Sequence, residues 1–85
     1  MNKATKPSKQ KSARELLAFN LRILRAERGL TKEELANLAG IDRGYVGQIE
    51  SMARAVSVDI IDRLAHALEV AVVRLFEDPE NRKNR

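Results

Sequence analysis

Cysteine and tryptophan are absent from this 85-residue chain, histidine occurs once, and aromatic residues make up only 4%. Each absence removes a class of function. Without cysteine there is no disulfide, no thiolate zinc site and no thiol nucleophile. A single histidine leaves little from which to build a metal centre or a Ser/His pair. No apolar run approaches the roughly 20 residues that a membrane span requires, and none follows the basic N-terminus as a signal peptide demands. The expectation is a soluble, cytoplasmic protein with no membrane partner. At this length folding buries only about 60% of the unfolded chain's surface, too little for a deep catalytic cleft beside a core. Paired carboxylates, metal-ligand clusters and phosphate-cradling glycine loops are also missing, so no catalytic residue, metal or cofactor is expected.

Acidic residues are missing from the first 11 positions, which hold Lys3, Lys6, Lys9 and Lys11; this segment carries the whole formal excess of +4. The remainder is balanced. Residues 1–11 read as a flexible basic arm, solvated or touching phosphates or a minor groove, and residues 78–85 as a short polar tail.

Strand signals are lacking too. Apolar residues recur at three- and four-residue spacing, which predicts an all-α domain over 12–77. Ser12-Ala13-Arg14-Glu15 is a capping box that opens a helix over about 12–28, with Leu17, Leu21 and Leu24 on its inner stripe and Gly29 ending it. Thr31-Lys32-Glu33-Glu34 is a second capping box, opening a helix over 31–39 that stops at Gly40. Asp42 is the expected cap of a third helix, 42–51, whose buried side is Val46 and Ile49. Ser57 caps a fourth over 57–69, with Ile60, Ile61, Leu64, Ala65 and Leu68 inside. A last short helix is expected over 71–77, before Asp78-Pro79. The lone His66 reads as an exposed helix residue.

Helices two and three, joined through Gly40, have the dimensions of a helix-turn-helix. The motifs Leu21-Arg22-x-Leu24-Arg25, Gly29-Leu30-Thr31-Lys32-Glu33-Glu34-Leu35-Ala36, Ala39-Gly40-Ile41, Tyr45-Val46-x-x-Ile49-Glu50 and Leu64-Ala65-x-Ala67-Leu68-x-Val70 resemble the phage repressor and Cro (Xre) family of DNA-binding domains, over about residues 16–76. Arg43-x-Tyr45-Val46-x-x-Ile49-Glu50 followed by Arg54-x-Val56-Ser57 is similar to the branch that holds restriction–modification controller proteins. The resemblance implies a compact five-helix repressor-like domain whose third helix enters the major groove. It also implies a homodimer, formed through the C-terminal helices, on a two-fold symmetric operator.

Arg43 and Gly44 stand at the start of the third helix, where side chains face base edges, and Gln48 follows on the same side. Arg43 has the donor geometry for guanine O6 and N7, and Gln48 that for adenine. Phosphate contacts are expected from the N-terminus of helix two with Lys32, and from Ser51 and Arg54. Tyr45, by its counterpart in the controller branch, is expected against the DNA backbone or a thymine methyl, with core packing as the other reading. Arg25 and Glu50 occupy positions that pair in this family, and their spacing after buried leucines and Ile49 agrees with a structural ion pair.

Several residues depart from the family's pattern. Gly44 and Gly47 replace side chains that bond DNA and weaken the helix, and Lys32 replaces the usual Gln. Met52 stands where glycine normally takes a positive φ, and Ala71 replaces the usual cap of the last helix. Val72, Val73, Leu75 and Phe76 offer more apolar surface than a short terminal helix buries, which points to a dimer interface; alternatively Leu75 and Phe76 turn inward and only Val72 and Val73 stay outside. The expected function is transcriptional regulation on operator DNA, governed by protein concentration without a small-molecule effector. The alternative is a helix-turn-helix reused to bind protein, as in an antitoxin or anti-repressor partner.

Overall fold

The computed structural model describes residues 11–80; the expected basic arm, apart from Lys11, and the last five residues of the tail lie outside the described residues. Among the described residues four α-helices follow one another, α1 (Ala13–Glu27), α2 (Lys32–Ala39), α3 (Tyr45–Glu50) and α4 (Val58–Leu68), a 3-10 helix spans Val72–Phe76, and residues 79–80 are again helical. Among the described residues there is no strand, and no helix is long and apolar enough to cross a membrane.

Helix starts follow local chemistry. Ser12 and Thr31 accept the amides of Glu15 and Glu34, whose carboxylates in turn accept the Ser12 and Thr31 N–H groups at 2.8 Å, so both capping boxes are complete. The Ser57 hydroxyl caps α4 through the Ile60 amide. The third helix departs from expectation. Asp42 accepts the Tyr45 amide with its backbone carbonyl, not its side chain, and Gly44 is the cap residue with no side-chain bond. Helix α3 therefore begins at Tyr45 instead of residue 42, and Arg43 and Gly44 lie on the turn before it.

The four α-helices end in one way. After each, the N–H of the first residue beyond the helical turn reaches back three residues and the next reaches back five: Gly29 to Ala26 and Leu30 to Arg25, Gly40 to Asn37 and Ile41 to Ala36, Met52 to Ile49 and Ala53 to Gln48, Glu69 to His66 and Val70 to Ala65. This is the Schellman arrangement, which requires a left-handed residue at its corner. Gly29 and Gly40 supply it without strain, while Met52 (φ 61°) and Glu69 (φ 59°) adopt it with a Cβ. The strain expected at Met52 is thus present. The strain at Glu69 departs from the expected fourth helix over 57–69: α4 ends at Leu68 and Glu69 is its left-handed cap.

The core joins Leu17, Leu21 and Leu24 of α1, Leu35, Ala36 and Ala39 of α2, Tyr45, Val46 and Ile49 of α3, Leu64, Ala65 and Leu68 of α4, and Leu75. Ile60 and Ile61 sit only partly buried at its edge. Helix α1 packs on α3 and on the 3-10 helix, and α2 packs on α3 and α4. The last element is a five-residue 3-10 helix instead of the α-helix expected over 71–77. Ala71 provides no side-chain cap, and Asn20 holds the end of the segment in place.

Candidate nucleic-acid interface

Helix α3 is short, interrupted by Gly47 and uncapped by any side chain, so it depends on what surrounds it. Val46 and Ile49 anchor one side in the core, each no more than 1% exposed. Glu50 anchors the C-terminal end. Its carboxylate accepts Arg25 Nε at 2.8 Å and Arg25 Nη2 at 3.1 Å, while Arg25 Nη1 donates to the Leu30 carbonyl at 2.9 Å. One guanidinium thus ties α1, α3 and the loop before α2 together. The hydrogen bond to Glu50 raises the Arg25 pKa, partial burial opposes it, and the charge of Glu50 adds to the rise. The pair expected from the sequence is formed, and it is largely dry, with side chains 17% and 5% exposed.

Arg22 extends this arrangement: its Nη2 donates to the Glu50 carbonyl at 3.1 Å, and its Nε lies 4.0 Å from the Glu50 carboxylate. Lys32, exposed at the start of α2, lies alongside α3, since a Cβ built on Gly47 would stand 3.6 Å from Lys32 Cδ. Arg54 stacks its guanidinium on the Tyr45 ring, 3.9 Å from the centroid, and donates Nη1 to Gln48 Oε1 at 3.0 Å. Arg43 projects from the preceding turn, exposed and without a hydrogen bond or ion pair among the described residues. Five basic side chains, Arg22, Arg25, Lys32, Arg43 and Arg54, therefore lie on or next to α3. Its one carboxylate is buried and neutralised, and exposed Asp42 is the acid adjoining it in the turn.

The remaining expected residues fall as follows. Tyr45 is 9% exposed and belongs to the core, the second of its two readings, with the Arg54 guanidinium on its face. Ser51 is the exposed C-cap of α3, and its hydroxyl donates to the Gln48 carbonyl at 3.3 Å. Gly44 has open space where a Cβ would stand, and the neighbour of Gly47 is at ordinary contact distance, so the fold requires glycine at neither position. At the C-terminus Leu75 is fully buried within the domain and Phe76 is half-buried, which corrects the dimer surface expected over all four residues. The exposed pair there is Val72 and Val73, 41% and 65% exposed. Leu75 is drawn inward because Asn20, 3% exposed, shares its two Nδ2 hydrogens among the carbonyls of Leu16, Leu75 and Glu77.

The sequence reading missed Asn20, Arg22, Arg28 and Glu69. Asn20 was legible as a polar residue on the α1 stripe between Leu17 and Leu21. Arg28 donates Nη1 to the Leu68 carbonyl at 2.7 Å and Nη2 to Glu69 at 3.1 Å, capping the end of α4 across the fold; no local signal marks that role.

Comparison with known proteins agrees with this geometry. A family model described as a helix-turn-helix, HTH_3, matches residues 21–75, more than half of the chain. The chain belongs to this family. HTH_3 is a family of DNA-binding transcription regulators, and the matched span includes α2, α3 and α4. A Neisseria hypothetical transcription factor, from Neisseria meningitidis serogroup B, is 36% identical over 84 residues, covering 95% of this chain and 79% of its own. A crystal structure of a hypothetical transcription factor from Neisseria matches with a TM-score of 0.83 at 34% identity, over 96% of this chain and 98% of that one. The restriction–modification controller protein C.AhdI from Aeromonas hydrophila matches with a TM-score of 0.71 at 43% identity, over 74% and 96%. A tetramer of the controller protein C.Esp1396I, solved with its natural 35 base-pair operator, matches with a TM-score of 0.70 at 28% identity, over 79% and 88%. Controller proteins are thus among the HTH_3 relatives of this chain.

Proposed function

We propose that this protein is a cytoplasmic, sequence-specific transcriptional regulator that binds a two-fold symmetric operator as a homodimer, placing one α3 per half-site about 34 Å apart. The observation that carries the proposal is the surface at α3: exposed Arg43 and Gln48 at the helix-turn-helix, bordered by Arg22, Lys32 and Arg54, with Glu50 buried and paired. Basic side chains around such a helix supply phosphate attraction, and Arg43 and Gln48 supply the donors that read base edges. The operator complex of C.Esp1396I supports DNA as the partner and an oligomer as the binding species. Val72 and Val73, both exposed in the C-terminal 3-10 helix, are the apolar residues we assign to contact with a second copy. Concentration-dependent dimerisation, without a small-molecule effector, is the regulation proposed.

The alternative, a helix-turn-helix surface turned to protein, draws on Met52 and on Gly44 and Gly47, which leave the turn before α3 and α3 itself without a side chain at positions where the fold does not need glycine. Selection from a random duplex pool at near-physiological salt, with wild type and Arg43→Ala in parallel, decides between them. The expected result is a two-fold symmetric motif whose preference is lost in Arg43→Ala while the melt stays unchanged. Binding without any motif, vanishing as salt rises, refutes the regulator and favours the protein partner. Val73→Glu is expected to shift sedimentation toward monomer.

A further inference from the structure

Gln48 in isolation has the geometry to pair with adenine, offering an acceptor to N6–H and a donor to N7. Its surroundings change that. Arg54 Nη1 donates to the side-chain oxygen at 3.0 Å, and since a guanidinium has no acceptor, the amide orientation is set by its partner: the oxygen faces Arg54 and Nε2 with its two hydrogens is the free end. Arg54 is itself held, its guanidinium 3.9 Å from the centroid of Tyr45, a ring that is 9% exposed and fixed in the core. The Gln48 oxygen keeps a second lone pair. A cation beside it, however, repels an approaching N6–H donor and attracts an edge made only of acceptors.

We propose that Gln48 and Arg54 act as one donor-only reading unit that selects guanine, through N7 and O6, instead of adenine. Arg54 is then a specificity-determining residue as well as a phosphate contact, because it removes half of the adenine code from its neighbour. The inference rests on the DNA-binding function proposed above. It also revises the adenine pairing expected for Gln48.

The test is random-duplex selection with wild type, Gln48→Ala and Arg54→Leu, followed by titration of the wild type against its preferred duplex carrying 7-deazaguanine. Both side chains are exposed, and melting by circular dichroism confirms that the variants fold. Gln48→Ala is expected to lose preference at one base pair per half-site, and that pair is G·C for the wild type. Removing N7 there weakens wild-type binding about 5-fold or more, the low end of a base-edge contact. Arg54→Leu, whatever its loss of overall affinity, shifts the preference at the same pair toward A·T. Adenine at that pair in the wild type, a guanine preference that persists in Arg54→Leu, or a motif untouched by Gln48→Ala overturns the inference while leaving the regulator intact. Recovery of no motif overturns the regulator itself.

Discussion

Removing the Glu50 carboxylate is the sharpest perturbation of this domain. Glu50→Ala leaves the Arg25 guanidinium, 17% exposed, with the Leu30 carbonyl as its remaining acceptor, and leaves Arg22 beside it without an anion. Two charge-assisted hydrogen bonds disappear, and a mostly dry cation stays behind. Breaking one side of such a buried pair costs about 3–5 kcal/mol. A domain of this size holds only about 4–10 kcal/mol in total, at roughly 0.05–0.15 kcal/mol per residue. The melting temperature should fall by at least about 12 °C, since each kcal/mol shifts it by roughly 4–8 °C in small domains. Thermal unfolding followed by circular dichroism measures this directly. The control is Arg25→Met combined with Glu50→Leu, which replaces both ions with apolar groups and is expected to recover most of the loss. A Glu50→Ala melt within about 5 °C of wild type, or a double variant no more stable than the single one, refutes the reasoning. DNA binding lost in Glu50→Ala then reflects an α3 that has come loose, not a lost contact.

Three further outcomes are expected. Met52→Gly relieves a left-handed residue whose side chain is 42% exposed, and should stabilise by about 1 kcal/mol, read as a higher melting temperature. Gly47→Ala fits at 3.6 Å from Lys32 and should stabilise by about 0.8–1 kcal/mol; if α3 lies close against DNA at this point, operator affinity measured by titration falls in the same variant. Asn20→Ala strips the donor from the buried carbonyl of Leu75 and from that of Glu77, costing about 1–3 kcal/mol in a urea melt, with faster hydrogen exchange concentrated in residues 72–77.

What was legible in the sequence is what local chemistry decides. Both capping boxes, the glycines at 29 and 40 and the leucine stripe of α1 follow from residues within seven positions of one another, and the structure contains each of them; the strain at Met52 is legible only as a departure from the family's pattern. The Arg25–Glu50 pair, 25 residues apart, was reachable only through resemblance to a family. The departures from the sequence reading have both local and distant causes. Asp42 has the right chemistry to cap α3, but its carbonyl takes the Tyr45 amide and the helix starts later. The left-handed turn at Glu69 has no glycine to announce it. Its signal is the apolar residue that follows, since Leu30, Ile41 and Val70 all come directly after a left-handed residue and pack against the core. The apolar surface of residues 72–76 exceeds what a short terminal helix buries, which leaves an interface and an inward turn of Leu75 both open in the sequence; Asn20, 55 positions away, decides for the second by drawing that segment onto α1.

The arrangement at α3 divides stability from recognition. A helix of six residues with a glycine inside and no side-chain cap has little stability of its own. What fixes its position lies on the inner side: Val46, Ile49, the Arg25–Glu50 pair, and Arg22 on the last helical carbonyl. The side chains facing out, Arg43, Gln48 and Arg54, make no contact that the core needs, apart from the stacking of Arg54 on Tyr45. Changes at the outer residues should therefore alter which sequence is bound at nearly constant melting temperature. Changes at the inner ones should lower binding to every sequence in proportion to lost stability. Tyr45 links the two sets, because its ring is at once part of the core and the platform under Arg54. Tyr45→Leu, which keeps an apolar side chain there but removes the aromatic face, should move both readouts together: a modest drop in melting temperature, and a relaxed preference at the base pair assigned to Gln48.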